Sequence, residues 1–457
     1  MSSLALLLLG PVAGLAADAA GTVSLSDRSE ATWRSTPGVG TGSSPNAVDL
    51  STTPQAGFHL AWPDFDVGLG YAITISDIDV NNHDPNLNNP VIINAAQVAL
   101  GWSQPDLRIT FTVAGTYGHK NYLNLAPNPN FDAPMTTTGA GTTGTGTTGT
   151  GTTGTGTAQP PPPPPNQATM PQFVPATQKI LQVGSLRATL AVANRFSMRW
   201  TGNAAAYYEI SGGIREEDQV DKFYVDPVTH QLQPQSLLPQ VQGPGLTLGL
   251  TYALDPADDL ATSVSASDMR ISQKYEAVPT AGAEYRTLVV TEVYRHTWSQ
   301  QTSGALGLGV TAQYYRQSFR YSYGTSVLPN ANANITHAVP LEAGSKLNLS
   351  ASTGVGTGYN QATGEILYLA TAGGSVGWTY EHFGATASLT GGQSLRGGDD
   401  TKILAGSLTL SYTPVELVDV YVGARESWAI VPGAVSSNSP IYGFFAGLVI
   451  RAPPIKF

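Results

Sequence analysis

The chain has 457 residues, no cysteine and a formal net charge of −10, and only 12% of its residues are charged. The negative charge argues against a nucleic-acid partner, and the lack of cysteine excludes disulfides and thiolate metal sites. An average soluble domain has about 25% charged residues. The low charge and the abundance of Gly, Thr, Ser and Ala therefore favour one large all-β unit over several ordinary domains.

The first predicted element is a mostly apolar run at residues 4–17. It is too short for a membrane-spanning helix, but it has the length of a signal-peptide core and is followed by small residues. Residues 1–19 are therefore predicted to be a signal peptide, and residues 20–457 the mature protein. No Lys or Arg precedes the run, as one usually would, and the alternative is a buried N-terminal helix.

Alternation of apolar and polar residues with a period of two predicts about 18 β-strands between residues 21 and 451. Pro54 and Pro340 interrupt two of them, because proline cannot donate to a central ladder. The predicted strand centres are Ser26, Gly57, Ala72, Gln97, Thr112, Leu186, Gly202, Gly249, Val264, Val290, Val310, Ile335, Ser352, Ala372, Ala387, Leu408, Val422 and Ala446.

The connections between these strands fall into two classes. Short turns are predicted at residues 63–64, 103–106, 194–195, 255–258, 299–303, 381–382 and 413–416. Long polar loops are predicted at residues 35–46, 77–90, 118–178, 211–243, 273–282, 393–400 and 431–440. An even strand count with short turns at one end is typical of a transmembrane, up-and-down antiparallel β-barrel whose short turns are periplasmic.

One loop, at residues 119–178, differs in composition from the rest. It contains a Thr/Gly repeat at residues 136–157 and six prolines at residues 160–165. Such a segment cannot bury apolar surface, so it is predicted to be a disordered extracellular loop with a stiff polyproline spacer. The alternative is a domain linker. Strand patterns of the same kind resume on both sides, which favours a loop.

Tryptophans mark the ends of the predicted strands, in phase with the apolar side chains. A soluble sandwich also alternates, but it would favour tryptophans in the middle of its strands. Two bands of aromatic side chains at strand ends indicate the aromatic girdle of a membrane barrel. The predicted girdle consists of Trp33, Trp62, Trp102, Trp298, Trp378 and Trp428.

The last predicted strand is apolar and the chain ends in Phe457. With the strand and girdle patterns, this terminal aromatic resembles Gram-negative outer-membrane β-barrels, and porins in particular, over nearly the whole mature chain. Pro453 and Pro454 depart from the family's pattern because they interrupt the strand before the final residue. The resemblance implies insertion into outer-membrane lipid by the barrel assembly machinery. The strand count and loops also resemble barrels that export polysaccharide with a periplasmic lipoprotein as partner.

Charged residues on the opposite strand face are predicted to line the pore. Eight arginines against four acids would favour anionic solutes or anionic polysaccharide. The alternative is that these charges pair across strands and rigidify the wall. The remaining lining of Gly, Ala, Ser and Thr fits an open pore. The pore-lining candidates are Arg28, Glu30, Arg34, Arg108, Arg187, Arg199, Glu209, Arg286, Glu292, Asp419, Arg425 and Arg451.

The search for catalytic, cofactor and metal sites yields no candidate. Glu292 and His296 are four residues apart, which on a strand is more than about 10 Å and too far for a dyad. Oxygen ligands at residues 77–84 could hold calcium, but the run lacks the EF-hand glycine and terminal glutamate, so a solvated loop is the simpler interpretation. The chain is therefore predicted not to be an enzyme.

These observations predict an exported outer-membrane pore, either for small polar solutes or for polysaccharide export. The alternative is a surface-display or adhesion scaffold that uses the long outer loops.

Overall fold

The structure, a computed structural model, places eighteen strands in one closed antiparallel barrel. It describes residues 20–35, 46–77, 80, 90–121, 180–214, 221–225, 232–235, 240–272, 282–317, 322–341, 344–359, 366–396, 402–430 and 441–457. The predicted signal peptide lies outside the described residues, as does the predicted disordered loop from residue 122 onward. Within the described residues, no helix has the length and apolar character needed to cross a membrane.

The barrel strands follow one another around the wall in chain order, and β20 pairs with β1 to close it. They are β1 (Ala20–Ser35), β2 (Asn46–Ala61), β3 (Phe65–Asp77), β4 (Val91–Ser103), β5 (Leu107–Asn121), β6 (Ile180–Arg195), β7 (Trp200–Gly213), β10 (Gln240–Ala253), β11 (Asp258–Ser272), β12 (Gly282–Ser299), β13 (Thr302–Gln317), β14 (Ser322–Pro340), β15 (Lys346–Tyr359), β16 (Ile366–Tyr380), β17 (Phe383–Arg396), β18 (Lys402–Val415), β19 (Val418–Ile430) and β20 (Ile441–Arg451). Two short strands, β8 (Asp221–Val225) and β9 (Leu232–Gln235), form a separate hairpin, and β21 (Ile455–Lys456) pairs with β1.

All eighteen predicted strand centres fall within these barrel strands, including the two that proline interrupts. The ladder between β2 and β3 keeps one register but omits Thr53 and Pro54, because proline has no N–H to donate. The hydroxyls of Thr53 and Thr74 lie 3.1 Å apart across this gap. Pro340 is harmless to the sheet because it lies at the last rung of the ladder with β15.

Eight connections of two to five residues lie at one end of the barrel. Seven of them correspond to predicted short turns, and the eighth, between β14 and β15, was not predicted. Two predicted turns are misplaced. The turn predicted at 194–195 lies at residues 196–199 instead, where the Ser197 hydroxyl accepts the backbone N–H groups of Arg199 and Trp200. The turn predicted at 413–416 is shifted as well, because β18 continues to Val415. Asn and Pro favour turns in isolation, but here the neighbouring ladders extend both strands past these residues.

The closing seam accommodates the proline pair near the C-terminus. The N–H of Ala452 donates to the carbonyl oxygen of Leu25 at 2.8 Å. Pairing with β1 then resumes at β21, one residue out of the earlier register. Phe457 and Gly21 exchange two backbone hydrogen bonds of 2.8 and 3.1 Å. The predicted interruption is therefore a local bulge that leaves the seam paired.

Each barrel strand has an apolar face and a polar face. The apolar face carries large exposed side chains, such as Leu308 (58% exposed), Leu408 (47%) and Phe444 (55%). Cross-strand register continues this face around the wall; for example, Leu248 lies opposite Val264, which lies opposite Val290. The polar face carries mainly Ser, Thr, Asn, Gly and most of the ion pairs. A barrel of this kind can only place one of these faces outward and the other around its interior.

Candidate pore lining

Five neighbouring strands, β14 to β18, contribute a polar face made of hydroxyl and amide side chains. Between the two rims, no described side chain on this surface, here called the hydroxyl wall, is charged. Hydroxyls pair directly across strands, with 2.7 Å between Ser350 and Ser375 and 2.7 Å between Ser388 and Ser407. A shallow cavity of about 240 Å³ is lined by Ser350, Ser352, Thr371, Ala372, Gly373, Gly374, Ser375, Ser388 and Thr390.

Charged side chains gather on the polar face of the next four strands, β19, β20, β1 and β2. Arg28 contacts Glu30 at 2.8 Å, and Arg34 contacts Asp49 at 2.7 Å. A third ion pair joins Arg451 to the buried Asp419. We call this surface the charged arc; its members are Arg28, Glu30, Arg34, Asp49, Asp419, Arg425 and Arg451. Each of its three carboxylates binds an arginine, so most of its charge is neutralised locally.

Two aromatic rings pack flat over glycines of the neighbouring strand and support the charged arc; we call this ring-on-glycine packing. The Tyr421 hydroxyl donates to Glu30 and accepts from the Arg28 guanidinium, both at 2.8 Å. A Cβ added at Gly447 would lie 2.2 Å from the Tyr421 ring. A second ring, that of Phe445, covers Gly423 in the same way, at 2.3 Å. Only glycine leaves room for such rings against the wall, and the flat packing fixes the direction of the arginines.

Two further pore-lining candidates form an ion pair on the polar face of β6 and β7, outside the charged arc. Arg187 lies directly opposite Glu209, with 3.7 Å between Nη1 and Oε2. The Arg187 guanidinium also lies 4.2 Å from the centre of the Tyr207 ring, a cation–π contact. Tyr207 in turn covers Gly245. Ring-on-glycine packing therefore supports both groups of arginines.

Nine of the twelve pore-lining candidates lie on the polar face of a strand, and their role in a pore stays a prediction. Six belong to the charged arc, Arg187 and Glu209 form their own pair, and Arg108 lies alone on β5 near the short turns. The nine are Arg28, Glu30, Arg34, Arg108, Arg187, Glu209, Asp419, Arg425 and Arg451.

The structure places the other three candidates elsewhere. Glu292 shares the apolar face with Val290 and Tyr294 and accepts a hydrogen bond from Thr262 at 2.6 Å. Arg286 lies on the same face. Both were predicted on the polar side because the prediction assigned charged residues to the lumen, although their parity is that of Val290. Arg199 lies in a turn.

Several polar-face residues escaped the sequence analysis. Asp49 lies on β2, and only the register of the β1–β2 hairpin reveals that it meets Arg34. The same holds for Asp259 and Arg295, which form an ion pair of 2.9 Å between β11 and β12. Strand parity predicts that these residues lie on the polar face, but no local sequence pattern predicts which residue on the neighbouring strand each one contacts.

The six predicted girdle tryptophans lie near strand ends. Trp62, Trp102, Trp298 and Trp378 are at the short-turn end, whereas Trp33 and Trp428 are at the opposite end. The sequence analysis missed Trp200, the first residue of β7, because it misplaced the preceding turn. Trp200 is 40% exposed, and its ring centre lies 4.5 Å from that of Tyr252.

Titratable side chains also meet at the short-turn rim of β11 and β12. Asp258 accepts a hydrogen bond from Tyr294 and lies 2.5 Å from Nδ1 of His296. The described part of the chain contains no group of three or more His, Cys, Asp or Glu residues that could hold a metal ion. Most of the run considered for calcium, residues 77–84, lies outside the described residues.

No protein-family model matches this chain, and no curated protein matches it. Among solved structures, the FrpB iron transporter from Neisseria meningitidis is similar with a TM-score of 0.50 at 9% identity, over 92% of this chain and 64% of that chain. This chain thus spans less than two thirds of the length of FrpB. OccAB2 from Acinetobacter baumannii gives a TM-score of 0.44 at 12% identity, over 96% of this chain and 98% of that chain. The closed barrel and its likeness to FrpB show that this chain has the fold of Gram-negative outer-membrane β-barrels.

Proposed function

We propose that the protein is an outer-membrane channel for the passive diffusion of small, uncharged polar solutes. The observation that carries the proposal is a closed barrel of eighteen strands whose polar face is built mainly from small side chains. Barrels of 16 to 18 strands are wide enough to leave an aqueous channel, whereas about eight strands are filled by their own side chains. Small hydroxyl side chains narrow such a channel little.

The membrane placement follows from the apolar face. A water-soluble protein rarely exposes an apolar surface larger than a few hundred Å². Here exposed Leu, Val and Phe side chains continue around the wall on strand after strand. Closure between β20 and β1 also pairs the two edge strands, which a sheet in lipid requires. The apolar face therefore meets lipid in the proposal, and the polar face surrounds the lumen.

The preference for uncharged solutes follows from the pairing of charges. An excess of unpaired arginines would attract anions, as the sequence count of eight against four suggested. In the structure, Arg28, Arg34, Arg187, Arg295 and Arg451 each contact a carboxylate on the polar face. The hydroxyl wall, which adjoins the charged arc between β18 and β19, is neutral. It offers donors and acceptors that can replace those of water around a sugar-like solute.

Planar-bilayer recording of the purified protein tests the proposal. We expect a steady conductance and a reversal potential near zero in a salt gradient of potassium chloride. Liposomes that contain the protein should swell at similar rates in neutral sugars and more slowly in charged solutes of equal size. A strong ion preference would overturn the neutral-solute proposal.

The bilayer experiment also separates a channel from a surface scaffold. Folding is checked by the faster migration of the unboiled barrel in a denaturing gel. A correctly folded barrel that passes no current would refute the channel. Loss of a surface phenotype on deleting residues 119–178, with current unchanged in the deletion, would indicate that the loop has a separate function. Polysaccharide export stays a prediction of the sequence.

A further inference from the structure

Three arginines lie on the apolar face at the loop end of β11, β12 and β13. Arg270 lies opposite Glu284, which lies opposite Arg316, so these side chains share one rung across three strands. Two residues nearer the short turns, Arg286 lies between Asp268 and Tyr314 on the next rung of that face. We call Arg270, Arg286 and Arg316 the arginine rim.

Two of the rim arginines are available to an external partner. Arg286 contacts Asp268 at 3.3 Å and lies 5.9 Å from the centre of the Tyr314 ring. Arg270 and Arg316 are exposed, and no ion pair within 4 Å joins either to another residue of the described segments. The rim thus has three positive charges against the two carboxylates of Asp268 and Glu284.

The height of the rim places it beside lipid headgroups. Trp298 marks the short-turn end of the apolar face on β12, and Arg286 is twelve residues away along the strand. At about 3.4 Å per residue and a strand tilt of about 40°, Arg286 lies about 31 Å above Trp298, and the rung of Arg270 about 36 Å. The apolar band of such barrels is about 25 Å tall. The arginines therefore begin about 6 Å beyond it, on the surface that faces lipid.

We propose that the arginine rim binds the phosphate groups of outer-leaflet lipid. This inference rests on the membrane placement in the proposed function. Guanidinium groups bind phosphate oxygens through two parallel hydrogen bonds, and such contacts are stronger at a partly desolvated interface than in water. Neighbouring strands are about 4.8 Å apart, so the backbones of Arg270 and Arg316 are about 10 Å apart. Two such cations can contact separate phosphates of one bisphosphorylated glycolipid.

The test uses the full chain in detergent with three additives: bisphosphorylated lipid A, chemically dephosphorylated lipid A, and inorganic phosphate. The readout is the temperature at which the folded band is lost in the gel-shift assay. We expect only bisphosphorylated lipid A to raise this temperature. In a variant carrying Arg270→Gln and Arg316→Gln, half-maximal protection should need at least ten times more lipid. The control Arg187→Gln makes the same type of substitution once, on the polar face, and should respond like the wild type.

Equal protection by dephosphorylated lipid A or by inorganic phosphate would overturn the proposal, as would an unchanged response of the double variant. Bilayer conductance of the double variant should equal that of the wild type, because the rim lies outside the lumen. If the protein conducts but lipid A protects it equally with and without phosphate, the lipid-binding proposal fails and the channel proposal stands. A folded wild type without conductance would refute the channel, and the lipid response would still decide on the rim.

Discussion

Replacing Glu292 by leucine should stabilise the barrel in a lipid bilayer. Glu292 is six residues from Trp298 along β12, which places it about 16 Å above the girdle and near the middle of an apolar band of about 25 Å. Its cross-strand neighbours on the apolar face are Thr262 and Leu308. The sequence analysis had assigned this carboxylate to the lumen because it is charged, although its parity is that of Val290. The substitution therefore tests which face meets lipid.

The magnitude follows from opposing contributions. A basic residue at the midplane of a barrel's lipid face costs about 2–4 kcal/mol, and Asp or Glu costs less. Leucine at a membrane centre is favourable by about 0.5 kcal/mol. Loss of the 2.6 Å hydrogen bond from Thr262 offsets about 1 kcal/mol of the gain. The free energy of unfolding should therefore rise by about 1–2 kcal/mol in Glu292→Leu.

Equilibrium unfolding by guanidinium chloride in short-chain lipid vesicles measures this change through tryptophan fluorescence. The matched control is Glu209→Leu, the same substitution on the polar face. It leaves Arg187 without its carboxylate and should lower stability, by no more than about 1 kcal/mol because the pair is partly exposed. If Glu292→Leu lowers stability, the apolar face does not meet lipid at this height and the placement of the two faces is wrong.

Two further predictions concern the charged arc. Gly447→Ala places a Cβ 2.2 Å from the Tyr421 ring, so it should lower the free energy of unfolding by about 1–3 kcal/mol. The control is Gly70→Ala, whose Cβ would have its nearest neighbour at 3.9 Å. This control should change the free energy of unfolding by less than about 0.5 kcal/mol. Equal effects in the two variants would contradict the packing argument. Asp419→Asn removes the carboxylate that neutralises Arg451 and should shift the reversal potential of the channel towards anions, and an unchanged potential would show that this pair does not face the permeation path.

Strand number and most turns could be predicted because a period of two depends only on which face a side chain occupies. Contacts between strands could not, since the partner of Arg34 depends on a register that the hairpin loop sets. The error at Glu292 has a different origin. The same parity as Val290 was visible in the sequence, but a carboxylate on an apolar face violates the binary pattern that the prediction assumed. The interruption predicted at Pro453 also rested on a local rule. In the structure a bulge follows β20, and β21 pairs with β1 one residue out of register.

The ring-on-glycine packing links the paired charges to the width of the proposed lumen. An arginine that is free to extend would project several ångströms from the wall and act as both an obstacle and a fixed charge. Arg28 instead lies against the Tyr421 ring, at 5.0 Å from its centre, and donates to Glu30. Tyr421 can lie close to the wall only because Gly447 has no side chain. The residues that neutralise the charged arc thus also hold its side chains against the barrel wall and out of the proposed lumen. A lumen built this way would discriminate among solutes by size and hydrogen bonding more than by charge, which is the behaviour that the swelling and reversal-potential measurements distinguish.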